Sequence, residues 1–273
     1  MLTFDLDAYV ARSGAIHLSA IDWDDVRRHP LPAEAIRTLR YMQDIESHTI
    51  VYLRSLLATR AIDDPDVSTF LACWLYDETF HGIALARFLD AAGYPLSPRA
   101  TPRGQEPLSK RLEAWAMAQV SRAWPDFCAV HMTWGAINEL TTLTGYRRLM
   151  AVEPHPVLRD LVERISLDES RHFFFYYRQA ERRLQRRAVA SVARVIVDRF
   201  WAPVGSGVQP DAELLFMARY LFGDDEGLAA ARRVDETIRR LPGFDHVKLL
   251  EAWMNRYART THGHGGRNGY GHH

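Results

Sequence analysis

This 273-residue sequence contains little cysteine, no long apolar run and no excess of one charge. Cys73 and Cys128 are its only cysteines, too few for a disulfide scaffold or a zinc site of thiolates. Because 34 Lys and Arg balance 34 Asp and Glu, the overall field does not favour nucleic acid. No apolar run reaches the roughly 18 residues of a membrane span, and the acidic start does not resemble a signal peptide. These absences predict a cytoplasmic protein with no membrane span and no nucleic-acid partner.

Helical periodicity is what the sequence contains instead, with 47% hydrophobic and 25% charged residues, as in globular proteins. From Ala33 onward, apolar residues recur at a period near 3.6, and the alternation typical of strands is almost absent. Proline and glycine divide the pattern into four long helices, which begin near residues 33, 66, 125 and 157. The fourth extends past Arg187. The sequence therefore predicts an all-α protein.

Composition also predicts how the chain is organised. Residues 1–32 form an irregular N-terminal arm, and residues 33–187 form a four-helix core that includes a proline-rich insert at 93–124. Residues 188–260 form C-terminal helices that pack on this core. The last stretch, 261–273, is rich in glycine and histidine, and we expect it to be disordered.

Two Glu-x-x-His motifs, Glu78–His81 and Glu169–His172, lie in the middle of the second and fourth helices. Since residues i and i+3 share a helix face, each motif directs a carboxylate and an imidazole the same way. One such motif is weak evidence, because a chain of this composition contains one by chance about as often as not. Two motifs at corresponding places are stronger evidence for a shared site.

Two further glutamates lie at the same depth as the motifs. Glu46 and Glu78 are 17 and 15 residues from the turn near Asp63. Glu139 and Glu169 are 16 and 14 residues from the turn near His155. In two antiparallel helical hairpins, a rise of 1.5 Å per residue places all four carboxylates about 21–26 Å from their turns. Randomly scattered surface charges have no reason to coincide in this way.

Four carboxylates buried together would repel one another, and two divalent cations would remove that cost. One Glu from each of two helices and Glu-x-x-His from each of two others form the known ligand set of a dinuclear carboxylate site. Oxygen and imidazole ligands without thiolate suit iron, with manganese as the alternative at one or both positions. The alternative is a set of solvated charges with ordinary histidines, against which the matched depths count. The predicted ligands are Glu46, Glu78, His81, Glu139, Glu169 and His172.

An aspartate precedes each motif, at Asp77 and Asp168. Metal-bound histidines usually donate their other ring N–H to a carboxylate. We therefore predict that Asp168 pairs with His81, and Asp77 with His172, across the helices. The alternative is that both are plain surface acids, because adjacency alone does not determine direction.

The segments DETFHGIALARFLD and DESRHFFFYYRQAERRL, each with a lone Glu about 30 residues earlier, resemble the ferritin-like diiron superfamily. Within it they are most similar to soluble acyl-[acyl-carrier-protein] desaturases of the shorter actinobacterial kind. The resemblance covers about residues 36–186. It implies a ferritin-like four-helix bundle with a long crossover connection and additional C-terminal helices.

The resemblance also implies a function. It predicts two iron ions that use O₂ to desaturate or hydroxylate an acyl chain, carried on an acyl carrier protein, with electrons from a ferredoxin, in a homodimer. Thr142, one turn after Glu139, matches a threonine that lies beside the oxygen-binding face in these desaturases and would relay a proton. The alternative for Thr142 is a hydrogen bond to the carbonyl four residues earlier.

Two other functions remain open for the same ligands. One is a diiron oxygenase that acts on an amine, an amino acid or another biosynthetic intermediate. The other is an iron-oxidising protein of the ferritin type, against which the long C-terminal extension counts.

Two further sets of residues are candidates for contacts beyond the metals. Side chains one or two turns from the ligands would line a dry substrate pocket, although ordinary core packing is the alternative: Trp74, Met132, Gly135, Ala136, Ile165, Phe173 and Tyr176. Arginines near the end of the fourth helix would steer an acidic partner, although a solvated basic helix end is the alternative: Arg178, Arg182, Arg183, Arg186 and Arg187.

Overall fold

The computed structural model describes residues 3–95, 115, 118–206 and 209–262, and it confirms the all-α prediction. In chain order the α-helices are α1 (Leu6–Arg12), α2 (Ala33–Ser47), α3 (Thr49–Leu57), α4 (Pro65–Ala91), α5 (Cys128–Val152), α6 (Pro156–Arg183), α7 (Arg187–Phe200), α8 (Asp211–Phe222), α9 (Asp225–Ile238) and α10 (Leu250–His262). Short 3₁₀ helices cover Trp23–Arg28, Arg60–Asp63 and Pro125–Phe127, and residues 118–123 are also helical. The described residues form no strand beyond one isolated bridge between Ser206 and Gln209.

Sequence signals account for both ends of α4. The Asp64 side chain accepts the backbone N–H groups of Asp66 and Val67, and Pro65 occupies the first turn. Beyond the last turn, Gly93 adopts φ 87, a left-handed conformation that glycine reaches without steric cost. These two ends place the Glu-x-x-His motif of α4 in the middle of a 27-residue helix.

The first predicted helix is interrupted two residues after the predicted ligand Glu46. His48, at φ −100 and ψ 3, separates α2 from α3. Its ring Nδ1 lies 2.7 Å from the carbonyl oxygen of Asp44, while its backbone N–H donates to Ile45 at 2.9 Å. A side chain that bonds to its own helix competes with the backbone ladder. The prediction of one continuous helix here is therefore wrong, because the helix breaks at one residue.

The predicted end of the fourth helix is also wrong. Helix α6 ends at Arg183, and α7 begins at Arg187 rather than continuing in the same direction. The apolar face of α7, which includes Ala193 and Val197, is buried against the rest of the protein. Burial of that face requires the chain to change direction, and hydrophobic burial outweighs the local preference for a longer helix.

Two helix pairs face each other in the described part of the chain. Helix α2 lies against α4, α5 lies against α6, and α4 also contacts α6. Phe88, near the end of α4, contacts His155 at the start of α6, while Arg183 at the end of α6 bonds to Asp64 before α4. Helices α4 and α6 are therefore antiparallel. Helices α7, α8 and α9 pack on α5, and α10 packs on α9.

The N-terminal arm, residues 3–32 of the described chain, is more ordered than the sequence predicts. It contains α1 and a 3₁₀ helix, and both contact α4. Tyr9 and Val26 are buried, 3% and 2% exposed. The prediction of an irregular arm is therefore wrong, because distant contacts with α4 supply the order.

Some predictions concern residues beyond those described. Most of the predicted insert (residues 96–114, 116 and 117) and most of the predicted tail (residues 263–273) lie outside the described part of the chain. Residues 261 and 262 belong to α10. None of the described helices is both long and apolar enough to cross a membrane.

Candidate metal centre

Six buried side chains from four helices converge between the two helix pairs, and none is more than 6% exposed. They form two overlapping groups, and within each group the potential ligand atoms all lie within 4.8 Å of one another. The first group consists of Glu46, Glu78, His81 and Glu169. The second consists of Glu78, Glu139, Glu169 and His172. The structure thus brings together all six residues that the sequence selects.

Glu78 and Glu169 belong to both groups, whereas each of the other four residues belongs to one. One group adds Glu46 and His81, and the other adds a glutamate and a histidine from the opposite helices. Buried Glu/His groups of this kind could hold a metal ion. The two groups therefore overlap at two carboxylates.

Several atoms that face this centre have no hydrogen-bond partner among the residues that the structure describes. They are Oε1 of Glu78, Nδ1 of His81, both carboxylate oxygens of Glu169, and Nδ1 of His172. His81 Nδ1 lies 3.1 Å from Glu169 Oε1, within ion-pair distance but without hydrogen-bond geometry. A buried polar atom without a partner costs about 1–3 kcal/mol. Because these orphaned atoms are carboxylate oxygens and imidazole nitrogens, they fit cations such as iron or manganese.

The other ring nitrogen of each histidine meets an aspartate of the opposite helix. His81 Nε2 lies 3.3 Å from Asp168 Oδ2, and His172 Nε2 lies 3.2 Å from Asp77 Oδ2. These are the cross-helix pairs that the sequence predicts. Since a carboxylate accepts, Nε2 carries a proton, and Nδ1 faces the centre, where it could bind a cation once its own proton is released.

Three of the four glutamates accept a hydrogen bond from a neutral side chain. Tyr146 donates its hydroxyl to Glu46 Oε1, and the Trp74 indole donates to Glu139 Oε1 at 3.1 Å. Thr49 donates to Oε2 of Glu78 at 3.3 Å. Sequence reasoning missed Tyr146 and Thr49. Tyr146 lies seven residues after Glu139, hence on the same helix face, and that spacing could have revealed it.

Asp77 and Asp168 are themselves held by other groups. Asp77 accepts the Tyr9 hydroxyl on Oδ2 at 3.0 Å and the Gly14 backbone N–H on Oδ1 at 3.1 Å. Asp168 instead accepts the guanidinium of Arg171, one turn later on the same helix. Nothing in the sequence signals the first pair of contacts, because 68 and 63 residues separate the partners.

Without cations, this cluster retains protons. Burial raises the pKa of Glu169 to about 8, and repulsion from Glu139 and Glu46 adds to the effect. Burial likewise raises the pKa of Glu78 well above its usual range. For His81 burial acts to lower the pKa, but contacts with Glu169 and Glu46 outweigh it and raise the pKa to about 10. Bound protons therefore offset the repulsion between the buried carboxylates when no cation is bound.

The predicted pocket residues are packed tightly in the structure. Trp74, Met132, Ala136, Ile165 and Tyr176 are each at most 4% exposed, and Phe173 is partly buried against the core. The Tyr176 ring lies so close to Gly135 that a Cβ at that position would overlap it. The Tyr176 hydroxyl is buried, and no described residue forms a hydrogen bond with it. These residues are therefore part of the packed core, and Trp74 contacts the centre directly through its bond to Glu139.

Thr142 is half-buried on α5, one turn beyond Glu139. Thr133, Thr141 and Thr144 on the same helix each donate to the carbonyl four residues earlier. The described contacts include no such bond from Thr142, so the alternative predicted for it is not observed.

Four of the five predicted docking arginines form ion pairs. Arg178 pairs with Glu181, both Arg182 and Arg183 pair with Asp64, and Arg186 pairs with Asp126 at 2.8 Å. Arg187 is exposed at the start of α7. A surface cavity of about 430 Å³ adjoins this cluster, and its lining includes Arg60, Asp63, Asp66 and Cys128. Nearby carboxylates therefore compensate part of the positive charge of the predicted docking arginines.

Comparisons of the chain with protein-family models, with curated proteins and with solved structures find no match.

Proposed function

We propose that this protein is a non-haem diiron oxidoreductase of the ferritin-like superfamily, with α2, α4, α5 and α6 as its four-helix bundle. It uses O₂ to desaturate or hydroxylate an acyl chain. The observation that carries this proposal is that Glu78 and Glu169 belong to both ligand groups. A mononuclear site has no need for two overlapping groups, whereas a pair of cations needs carboxylates that both can share.

The assignment of the ligands follows from the two groups. Glu46 and His81 would hold one iron, Glu139 and His172 would hold the other, and Glu78 and Glu169 would be available to both. Tyr146 and Trp74 each engage one oxygen of an unshared carboxylate and leave the other oxygen free. When bound, the two iron ions supply the redox chemistry that reduces O₂ and oxidises an unactivated C–H bond.

The chain supplies a rigid, dry environment for that chemistry. Phe70, Trp74 and Tyr176 are at most 4% exposed, and their rings pack edge to face beside the centre. Such a wall excludes water, which protects reactive intermediates from side reactions. Thr142 is the proposed proton relay, because its hydroxyl does not make the backbone bond that its neighbouring threonines make.

The substrate and partners are proposed from the motif resemblance. An acyl group on a carrier protein is the proposed substrate, a ferredoxin the electron donor, and a homodimer the assembly. Because Arg182, Arg183 and Arg186 already pair with carboxylates, an acidic partner would have to compete with Asp64 and Asp126 for them.

A second candidate is a diiron oxygenase for an amine, an amino acid or another compact intermediate. The close packing of Met132, Ala136 and Tyr176 beside the ligands favours it, since a long acyl chain needs more space there. Both candidates use the same ligands, so the substrate decides between them.

The experiment that tests the proposal begins with anaerobic loading of iron(II) and measurement of its stoichiometry. The protein loaded with iron(II) is then mixed with carrier-bound or free acyl substrates and exposed to O₂. Mass spectrometry should detect the loss of two hydrogens or the gain of one oxygen. The Glu169→Gln variant is the matched control, because it removes a shared charge while keeping the side-chain volume. Failure to bind two irons would refute the proposal, and turnover of amines or amino acids alone would establish the second candidate.

A further inference from the structure

The two aspartates behind the histidines are held in different ways. Asp168 is bound by Arg171 from the same helix, so its support is local and cationic. Asp77 is bound by Tyr9 and Gly14, so its support is neutral and comes from the N-terminal arm. The two halves of the centre therefore differ in which part of the chain they depend on.

Aromatic contacts dock the arm beside the centre. The Tyr9 ring lies 5.2 Å from that of Phe70 and 6.2 Å from the imidazole of His172, measured between centroids. Phe4 contacts Phe175 on α6, with ring centroids 5.0 Å apart. The arm thus bridges α4 and α6 at the side of the centre where His172 lies.

The hydrogen bonds from the arm act on the group that orients His172. Asp77 Oδ2 accepts both the Tyr9 hydroxyl and the Nε2–H of His172. Because Asp77 is only 1% exposed, water has little access to replace a lost donor. Loss of the Tyr9 hydroxyl would therefore loosen Asp77 and, through it, the imidazole that presents Nδ1 to the cation.

We infer that the N-terminal arm is an integral part of one half of the metal centre, with Tyr9 as a positioning residue that orients His172 through Asp77. This inference rests on the proposed two-cation centre. The arm strengthens cation binding at Glu139 and His172. It does not change the affinity of the half formed by Glu46 and His81. Coupling between two binding events is reciprocal, so cation binding in turn tightens the docking of the arm.

Half-sites test this directly, with Co²⁺ as the probe. The His81→Ala variant keeps the complete His172 half, and His172→Ala keeps the complete His81 half. Adding Tyr9→Phe should weaken Co²⁺ binding about threefold to tenfold in the first background, the effect of one lost hydrogen bond. It should leave the second background unchanged. Arg171→Gln is the matched variant for the opposite half. It should weaken Co²⁺ binding in the His172→Ala background and leave it unchanged in the His81→Ala background. Equal effects of Tyr9→Phe in both backgrounds would overturn the inference.

A second measurement needs no histidine variant. Arg12 is exposed at the end of α1, so trypsin can cleave after it when the arm opens. In the full chain, Co²⁺ should slow the release of the peptide ending at Arg12, and Tyr9→Phe should reduce that protection.

The outcomes separate this inference from the proposed function. If Co²⁺ does not bind the unaltered protein, the metal centre itself is refuted. If Co²⁺ binds but cleavage after Arg12 is equally fast with and without it, only the role of the arm is refuted.

Discussion

Tyr146 donates its hydroxyl to Glu46 across 100 residues of chain, from α5 to α2. Burial raises the pKa of Tyr146 well above its usual range, and the Glu46 charge raises it further, so the hydroxyl stays protonated as a donor. On the opposite side of the centre, the indole N–H of Trp74 donates a hydrogen bond to Glu139 Oε1 at 3.1 Å. Each unshared carboxylate is thus held by an aromatic donor from a neighbouring helix.

Removal of the first donor should destabilise the metal-free protein. We expect Tyr146→Phe to lower the free energy of unfolding by about 1–3 kcal/mol, because a buried carboxylate oxygen loses its partner. Urea unfolding in the presence of a chelator measures this. Trp74→Phe is the matched change at Glu139. Unchanged stability in Tyr146→Phe would show that another donor replaces the phenol.

Substitution of shared and unshared ligands should change the metal stoichiometry differently. Glu78→Ala should abolish binding of both irons, because both ligand groups contain Glu78. Glu46→Ala should abolish one, because only one group contains it. Elemental analysis after iron loading and desalting counts the ions. Glu163→Gln, an exposed change on α6, is the control that should bind as the unaltered protein does. Loss of a single iron from both alanine variants would contradict the sharing.

The stability of the metal-free protein should fall as pH rises. The pKa of Glu169 is raised to about 8 and that of His81 to about 10, so the folded cluster keeps protons that the unfolded chain releases. Stability from a raised pKa is complete below the unfolded value and lost as pH rises through the folded value. Between pH 6.5 and 8 both groups therefore lower the free energy of unfolding as the pH rises.

Iron affinity should show the opposite trend in this window, because binding displaces those protons. Urea unfolding across the pH range, with chelator and with iron, measures both trends. Glu169→Gln removes one titrating group and should flatten the chelator curve. A metal-free protein that gains stability from pH 6.5 to 8 would contradict the protonation described here.

The contact between Gly135 and Tyr176 should tolerate no added methyl group. Gly135→Ala would place a Cβ inside the Tyr176 ring, so we expect a loss of about 1–3 kcal/mol from overpacking. Gly145→Ala, on the same helix, meets its nearest atom, Leu221 Cδ1, at 3.8 Å. That control should be neutral or should stabilise α5 by up to about 1 kcal/mol. Thermal unfolding compares the two, and equal melting temperatures would contradict the predicted clash.

The six candidate ligands could be selected from the sequence because helix geometry is local. Glu78 and His81 are three residues apart in a helix, so they share a helix face independently of the tertiary structure. The matched depths of Glu46 and Glu139 depend only on helix rise and on the positions of the breakers. The same logic predicted the pairing of Asp77 with His172, which needs only that opposite helices carry their motifs at one level.

The break at His48 and the end of α6 at Arg183 could not be predicted in the same way. Each depends on competition between the helix and another interaction, a ring–carbonyl bond in one case and burial of α7 in the other. The ion pairs of Arg182 and Arg183 depend on where the start of α4 lies relative to the end of α6. The sequence shows which residues are charged, but it does not show which of them are close together in the folded protein.

The amino-acid sequence alone determined that this protein is helical and that its four central helices carry four glutamates and two histidines at one level. Only the tertiary structure decided that Tyr9 supports Asp77, that Tyr146 supports Glu46, and that Tyr176 fills the space above Gly135. The reason is physical. Periodicity along a helix is a property of neighbouring residues, whereas a contact between residues far apart in sequence exists only once packing has offset the entropy of bringing them together.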